Sequence, residues 1–291
     1  MVIAWNRGKT SINRLLHIIP PKTRGMREST CRFPYEIMEM VTAHLVGDLN
    51  ALKAFSLTCR FCYLLAVPHL HHTLTLRGTT PDKSRDKLKP VSKLHGLGLA
   101  PLVKEIRVTR AHYVGDCWFV PPAFSRRSLR HFSAFANVQA LILQNLNISR
   151  FIPGIQHHFG HFSPTLRSIV LVQPRCTPRQ LSYFLSHFSN LDDINIYQPL
   201  RHPHAIVPGL ELVPFSPPKL RGRLKLFEFT WDETWADLIT VCGGLQFCYM
   251  DLRNFASCVP ILLEACAETM ETLRFYTIGK WSNASLSVNL S

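Results

Sequence analysis

One short pattern constrains this chain more than any other feature. An apolar residue, two open positions, a second apolar residue, one open position and a third apolar residue recur seven times. The copies are VKEIRV from 103, VQALIL from 138, LRSIVL from 166, LDDINI from 191, LKLFEF from 224, LQFCYM from 245 and METLRF from 270. The last two apolar positions alternate as a half-buried strand requires, because successive side chains of a strand point to opposite faces. Successive copies are 35, 28, 25, 33, 21 and 25 residues apart. Most of the intervening stretches hold a helical segment. The clearest is TPRQLSYFLSHFSN (177–190), with Thr177 as N-cap, Pro178 at the first helical position, and Leu181, Phe184, Leu185 and Phe188 on one face. WADLITVC (235–242) and SCVPILLEACAETM (257–270) repeat that logic.

A short strand and a helix every 20–35 residues predict short parallel strands alternating with helices, each unit burying its apolar face on the next in a solenoid. A doubly wound α/β domain has the same alternation, but calls for longer buried strands and a glycine-rich ligand loop, and neither is visible. With the pattern residues pointing inward, the residues between them face out along the sheet. These are Glu105, Arg107, Ile142, Val170, Val172, Asp193, Asn195, Tyr197, Glu228, Phe247, Tyr249, Arg274 and Tyr276. Three aliphatic and four aromatic side chains in that set exceed what solvent requires, and predict a protein-binding face.

The N-terminal part reads differently. In FPYEIMEMVTAHL (33–45), Pro34 suits a first helical turn, and Ile37, Val41 and Leu45 form a stripe widened by Met38 and Met40. Gly47-Asp48 breaks that helix and Asp48 caps a second, in which Leu49, Leu52 and Phe55 share a face. A third segment carries Phe61, Leu64 and Leu65 and is expected to stop at Pro68. Three short helices over roughly 40 residues cannot cover this much apolar surface by themselves, and domains so small need a metal, disulfides or a partner. The spacing gives no metal or disulfide signal, so the module calls for a partner.

Two resemblances follow from these residues. Residues 33–74, FPYEIMEMVTAHLVGDLNALKAFSLTCRFCYLLAVPHLHHTL, resemble an F-box through Phe33-Pro34, Glu36-Ile37, Val41, Leu45, Asp48-Leu49, Leu52 and Ser56-Leu57-x-Cys59-Arg60. Phe33 replaces the family's usual Leu, and Cys62 stands where the family commonly has Trp, which removes a large anchor. The resemblance implies docking on the Skp-family adaptor of a cullin-based ubiquitin ligase, through Phe33, Pro34, Ile37, Val41, Leu45, Leu49, Leu52, Phe55 and Leu57. The later units resemble irregular leucine-rich repeats, which commonly follow F-boxes, although they vary in length and lack the regular Asn/Cys position. The alternative to an F-box is a helical cap on the following domain, which leaves the Phe-Pro-x-Glu-Ile opening and the Ser-x-x-Cys-Arg ending unexplained.

Composition narrows the function classes. Lys and Arg number 33 against 19 Asp and Glu, a net charge of +14 that favours acidic partners. No run of five or more basic residues marks a nucleic-acid tail. No apolar run reaches the ~20 residues of a membrane span. Nine irregularly spaced cysteines without a secretory signal predict reduced thiols in an intracellular compartment. Cys59 and Cys62 form a CxxC with no second pair, and the histidines at 69, 71 and 72 and at 157, 158 and 161 lack partners at ligand spacing, so no metal and no cofactor are expected. No P-loop, GxSxG, GxGxxG or HExxH occurs. Asp192 and Asp193 begin a strand and diverge, while Asp232 and Glu233 suit a helix N-terminus. No catalytic residue is assigned.

The reading is therefore a basic tail at 1–30, whose bias also fits a transit peptide, an F-box-like helical module at 31–77 and a polar linker at 78–100. An irregular leucine-rich-like repeat domain follows at 101–278, then a tail at 279–291. The expected function is a non-catalytic substrate adaptor of a ubiquitin ligase complex. It binds the Skp-family adaptor, through it a cullin, and a target protein of acidic or phosphorylated character. The target is expected on Arg107, Ile142, Val170, Val172, Asp193, Asn195, Tyr197, Phe247, Tyr249, Arg274 and Tyr276. The competing expectations are a basic, nucleic-acid-associated repeat protein and an F-box-derived scaffold without a ligase role.

Overall fold

The computed structural model describes residues 33–78, 89–110, 133–146, 148, 160–197, 222–230, 245–253, 264, 266–276 and 285–289. Three helices open it: α1 (Tyr35–Leu45), α2 (Leu49–Ser56) and α3 (Arg60–Leu70). Asp48 caps α2 as expected, its carboxylate accepting the amides of Asn50 and Ala51 at 2.9 and 3.0 Å. Pro34 occupies the N-cap of α1, one position earlier than expected. Pro68 does not stop α3, which continues to Leu70; a proline so near a helix end removes little of the hydrogen-bond ladder.

Next come β1 (Thr73–Gly78), α4 (Lys89–Gly96), β2 (Glu105–Arg110), β3 (Ala140–Gln144), β4 (Ser168–Val172), α5 (Pro178–Leu185) and β5 (Asp193–Tyr197). The chain ends with β6 (Arg223–Thr230), β7 (Gln246–Arg253), β8 (Thr272–Tyr276) and β9 (Ser285–Asn289). The nine strands form one sheet in chain order. The first eight are parallel and β9 pairs antiparallel with β8. This is an α/β arrangement whose strand order never reverses, so it has no switch point of the doubly wound kind.

Side chains in register explain why the strands stack. Leu74, Ile106, Leu141, Ile169, Ile194, Leu224 and Phe247 form one inward row. Leu76, Val108, Leu143, Leu171, Ile196, Leu226, Met250 and Leu273 form the next. None of the fifteen is more than 5% exposed. Each such side chain contributes about 1.5–3 kcal/mol of transfer free energy. The backbone repeats as well. The His72 carbonyl accepts the amides of Lys104 and Glu105, and that of Lys104 those of Gln139 and Ala140. In the same way Gln139 serves Arg167 and Ser168, and Arg167 serves Asp192 and Asp193.

Among the described residues, the connecting helices α4 and α5 add buried side chains to the core of the inward rows. α5 has the expected cap: Thr177 Oγ1 accepts the Gln180 amide and Gln180 Oε1 accepts the Thr177 amide, a reciprocal capping box. Its Leu181, Phe184 and Leu185, with Phe188 just beyond, are buried in the same core as the strands. The 235–242 segment and most of 257–270 lie outside the described residues.

Five expectations change. β1 belongs to the sheet rather than to the helical module, and β9 falls in the segment read as a tail. Residues 89–100, read as linker, contain α4 and bury Val91, Leu99 and Ala100. In β6 the inward residues are Leu224 and Leu226, so Phe227 faces outward instead of inward. In β7 an irregularity in the pairing places Phe247, expected outside, in the core beside Leu224.

Phe184 is fully buried. Replacing it with Ala is expected to destabilise the chain by about 3–5 kcal/mol, read as a lower urea midpoint at unchanged slope.

Candidate protein-docking surfaces

Two surfaces stand apart from the rest. The first lies on α1 and α2 and the turns around them. Phe33, Ile37, Met40, Val41, Val46, Leu49 and Leu57 are exposed there, and the other large exposed hydrophobics among the described residues are Leu97 and Tyr183. Leu57 is 77% exposed and Phe33 64%, values at which an apolar side chain gains little from folding.

The geometry of α1 accounts for this. Its apolar residues span more of the helix circumference than one contact can cover. Met38 turns inward against Cys62 and Leu65, with Tyr35, Phe55, Cys59 and Phe61 packed around them. Tyr35 and Phe61 meet edge to face at 5.7 Å. Thr42 is also buried, its hydroxyl donating to the Met38 carbonyl at 2.7 Å. Ile37, Met40 and Val41 are left on the other side, in solvent.

Among the residues expected to meet an adaptor, Phe33, Pro34, Ile37, Val41, Leu49 and Leu57 are exposed, and Leu45 is half-buried. Leu52 is fully buried and Phe55 packs on the small core, so these two hold the helices together. Cys62 is 2% exposed. Its place in the packing means that a smaller side chain there bears on how α1 seats on α3, not on the outer face directly.

The second surface is the outer face of the sheet. Arg107, Ile142, Val170, Asn195, Lys225, Tyr249 and Thr272 form one row across β2–β8. Gln144, Val172, Tyr197 and Phe227 form another. Ile142, Val170, Val172, Asp193, Asn195, Tyr197 and Tyr249 are half-buried, as are Glu105, Lys225 and Phe227, whereas Arg107 and Arg274 are exposed. The side chains of Glu228 and Tyr276 lie outside the described residues.

Neighbouring strands sit about 4.8 Å apart, close to the separation at which rings stack. Phe227 accordingly lies parallel to Tyr197, with centroids 4.3 Å apart and planes 7° from parallel. It also packs on Tyr249 at 4.7 Å. The Arg274 guanidinium stands 5.6 Å from the Tyr249 ring centre, within cation–π range. Phe227 is the member that sequence reasoning missed.

Charge surrounds this aromatic run. Arg107 pairs with Glu105, Lys225 Nζ lies 3.5 Å from Asp193, and Arg223 donates to both oxygens of Glu271 at 2.7 Å. The Arg223–Glu271 pair is largely solvated, so it orients the face more than it stabilises it. Among the described residues no group of three or more His, Cys, Asp or Glu is placed to hold a metal ion. No described helix is long and apolar enough to cross a membrane.

Comparison with models of known families, with curated proteins and with solved structures returned no match.

Replacing Phe227 with Leu keeps an apolar side chain but removes the stacking. It is expected to cost about 0.5–1.5 kcal/mol in urea unfolding and to weaken the near-ultraviolet circular dichroism of the tyrosines.

Proposed function

We propose that this chain is the substrate-recognition adaptor of a Skp–cullin–F-box ubiquitin ligase. Its N-terminal helices act as an F-box on the Skp-family adaptor. Its parallel strands form a leucine-rich-repeat-like solenoid whose outer face holds a target protein. The observation that carries the reading is the concentration of exposed apolar side chains between Phe33 and Leu57, five of them at positions of the F-box-like match: Phe33, Ile37, Val41, Leu49 and Leu57. A concentration of exposed apolar side chains of that kind is what a protein–protein interface on a folded domain presents.

The chain supplies proximity and orientation, and a separate enzyme carries out ubiquitin conjugation. The strand order and the repeated backbone hydrogen bonds support a solenoid, since each strand leans only on its neighbours. The aromatic run Tyr197–Phe227–Tyr249 offers a rigid anchor for a target side chain. The net charge of +14 steers acidic or phosphorylated targets toward it. On this reading the protein works inside the cell, where such ligases operate.

The experiment is co-purification with the Skp-family adaptor. Ile37→Asp and Leu57→Asp alter exposed side chains, so each is expected to change stability by no more than about 0.5 kcal/mol. Each is expected to weaken adaptor binding by at least about 30-fold, as loss of an interface anchor does. Adaptor binding that is absent in the folded native chain, or indifferent to both changes, rejects the proposal.

A further inference from the structure

Cys59 is the N-cap of α3 and Cys62 lies in its first turn. Their Sγ atoms are 3.3 Å apart, with the Cys59 thiol donating to Cys62 Sγ, and the Cys62 amide donates to Cys59 Sγ at 3.4 Å. Cys59 is partly exposed and Cys62 is buried. This is an asymmetric pair: one sulfur that solvent can reach, and a second held against it from within the helix.

We propose that Cys59 and Cys62 form a reversible dithiol–disulfide site that exchanges with small-molecule disulfides of the glutathione type. Cys59 is the attacking thiol and Cys62 the resolving one. The inference does not depend on the ligase reading.

Three features support it. A disulfide bond is about 2.0 Å long, so the sulfurs need to approach by roughly 1.3 Å, less than the length of one carbon–carbon bond. The pair sits at the N-terminus of an eleven-residue helix, where amide dipoles favour a thiolate. Partial burial disfavours the Cys59 thiolate, but hydrogen bonding with the Cys62 amide and side chain, the Phe61 amide and the Thr58 side chain outweighs it and holds the Cys59 pKa below the ordinary thiol value. Cys266 shows the contrast: burial alone pushes it up to about 12, and it has the character of an inert core thiol.

The exchange balances as follows. The Cys59 thiolate attacks one sulfur of oxidised glutathione, its S–S bond breaks, and one glutathione thiolate leaves. Cys62 loses its proton to solvent and attacks Cys59 Sγ, expelling the second glutathione thiolate and closing the Cys59–Cys62 bond. Two electrons pass from the protein to glutathione, whose two thiolates take up the two protons that the cysteines released.

The test uses the full chain in buffers of varied reduced-to-oxidised glutathione ratio, with acid quenching, alkylation and peptide mass spectrometry. The native chain is expected to show a Cys59–Cys62 link as the buffer becomes oxidising, with little glutathione attached to Cys59. In Cys62→Ser the adduct on Cys59 has no resolving partner and is expected to accumulate at least tenfold. In Cys59→Ser the buried Cys62 is expected to remain unmodified. Should Cys62→Ser prove unable to fold, the link in the native chain decides alone. Both thiols remaining reduced in oxidised glutathione, a persistent adduct on native Cys59, or pairing of either residue with a third cysteine would overturn the proposal.

Discussion

Everything in the body of this protein depends on the burial of two aliphatic rows running across parallel strands. A parallel pair cannot be closed by a tight turn, because each connection must return the chain to the same end of the sheet. Where it is described, in α4 and α5, the return segment adds its apolar side chains to the same core. Strand and connection are therefore one unit, and neither is stable without its neighbours. The recurring carbonyl at His72, Lys104, Gln139 and Arg167, each accepting two amides of the following unit, is the backbone expression of that dependence.

The N-terminal helices obey a different balance. Their small core is built around Met38, Cys62 and Leu65, and it leaves Phe33, Ile37, Met40, Val41, Val46, Leu49 and Leu57 in water. A chain does not hold Phe33, Ile37, Leu49 and Leu57 in solvent for its own stability. The proposed adaptor resolves this: it would complete a core that the module by itself leaves half made. The sheet's outer face is of another kind, with rings already stacked on one another and charges already paired, as suits a preformed recognition surface.

Much of the sheet was legible in the sequence because the inward rows need three apolar positions at fixed spacing. In β2 to β5 all three are present and all are buried, from Val103, Ile106 and Val108 through Leu191, Ile194 and Ile196. The pattern misled where its first position is polar. β1 is preceded by His71, a polar residue in the first pattern position, and so went unrecognised. The unit around β6 has Arg221 in that place, and the frame slipped by three residues onto LKLFEF, hiding Phe227. In β7, Phe247 and Cys248 are both buried next to the pairing irregularity, which no alternation rule anticipates. On α1, helical periodicity located the apolar stripe without telling which of its two sides faces inward. That depends on tertiary contacts with α3.

The central claim is that the apolar side chains of residues 33–57 form a binding face separate from the sheet. Amide hydrogen exchange of the full chain, measured with and without the Skp-family adaptor, tests it most directly. The account predicts that the adaptor slows exchange across residues 35–57 and leaves the amides of β2 to β5 unchanged. Slowing confined to the strands, or no slowing anywhere at saturating adaptor, would contradict it.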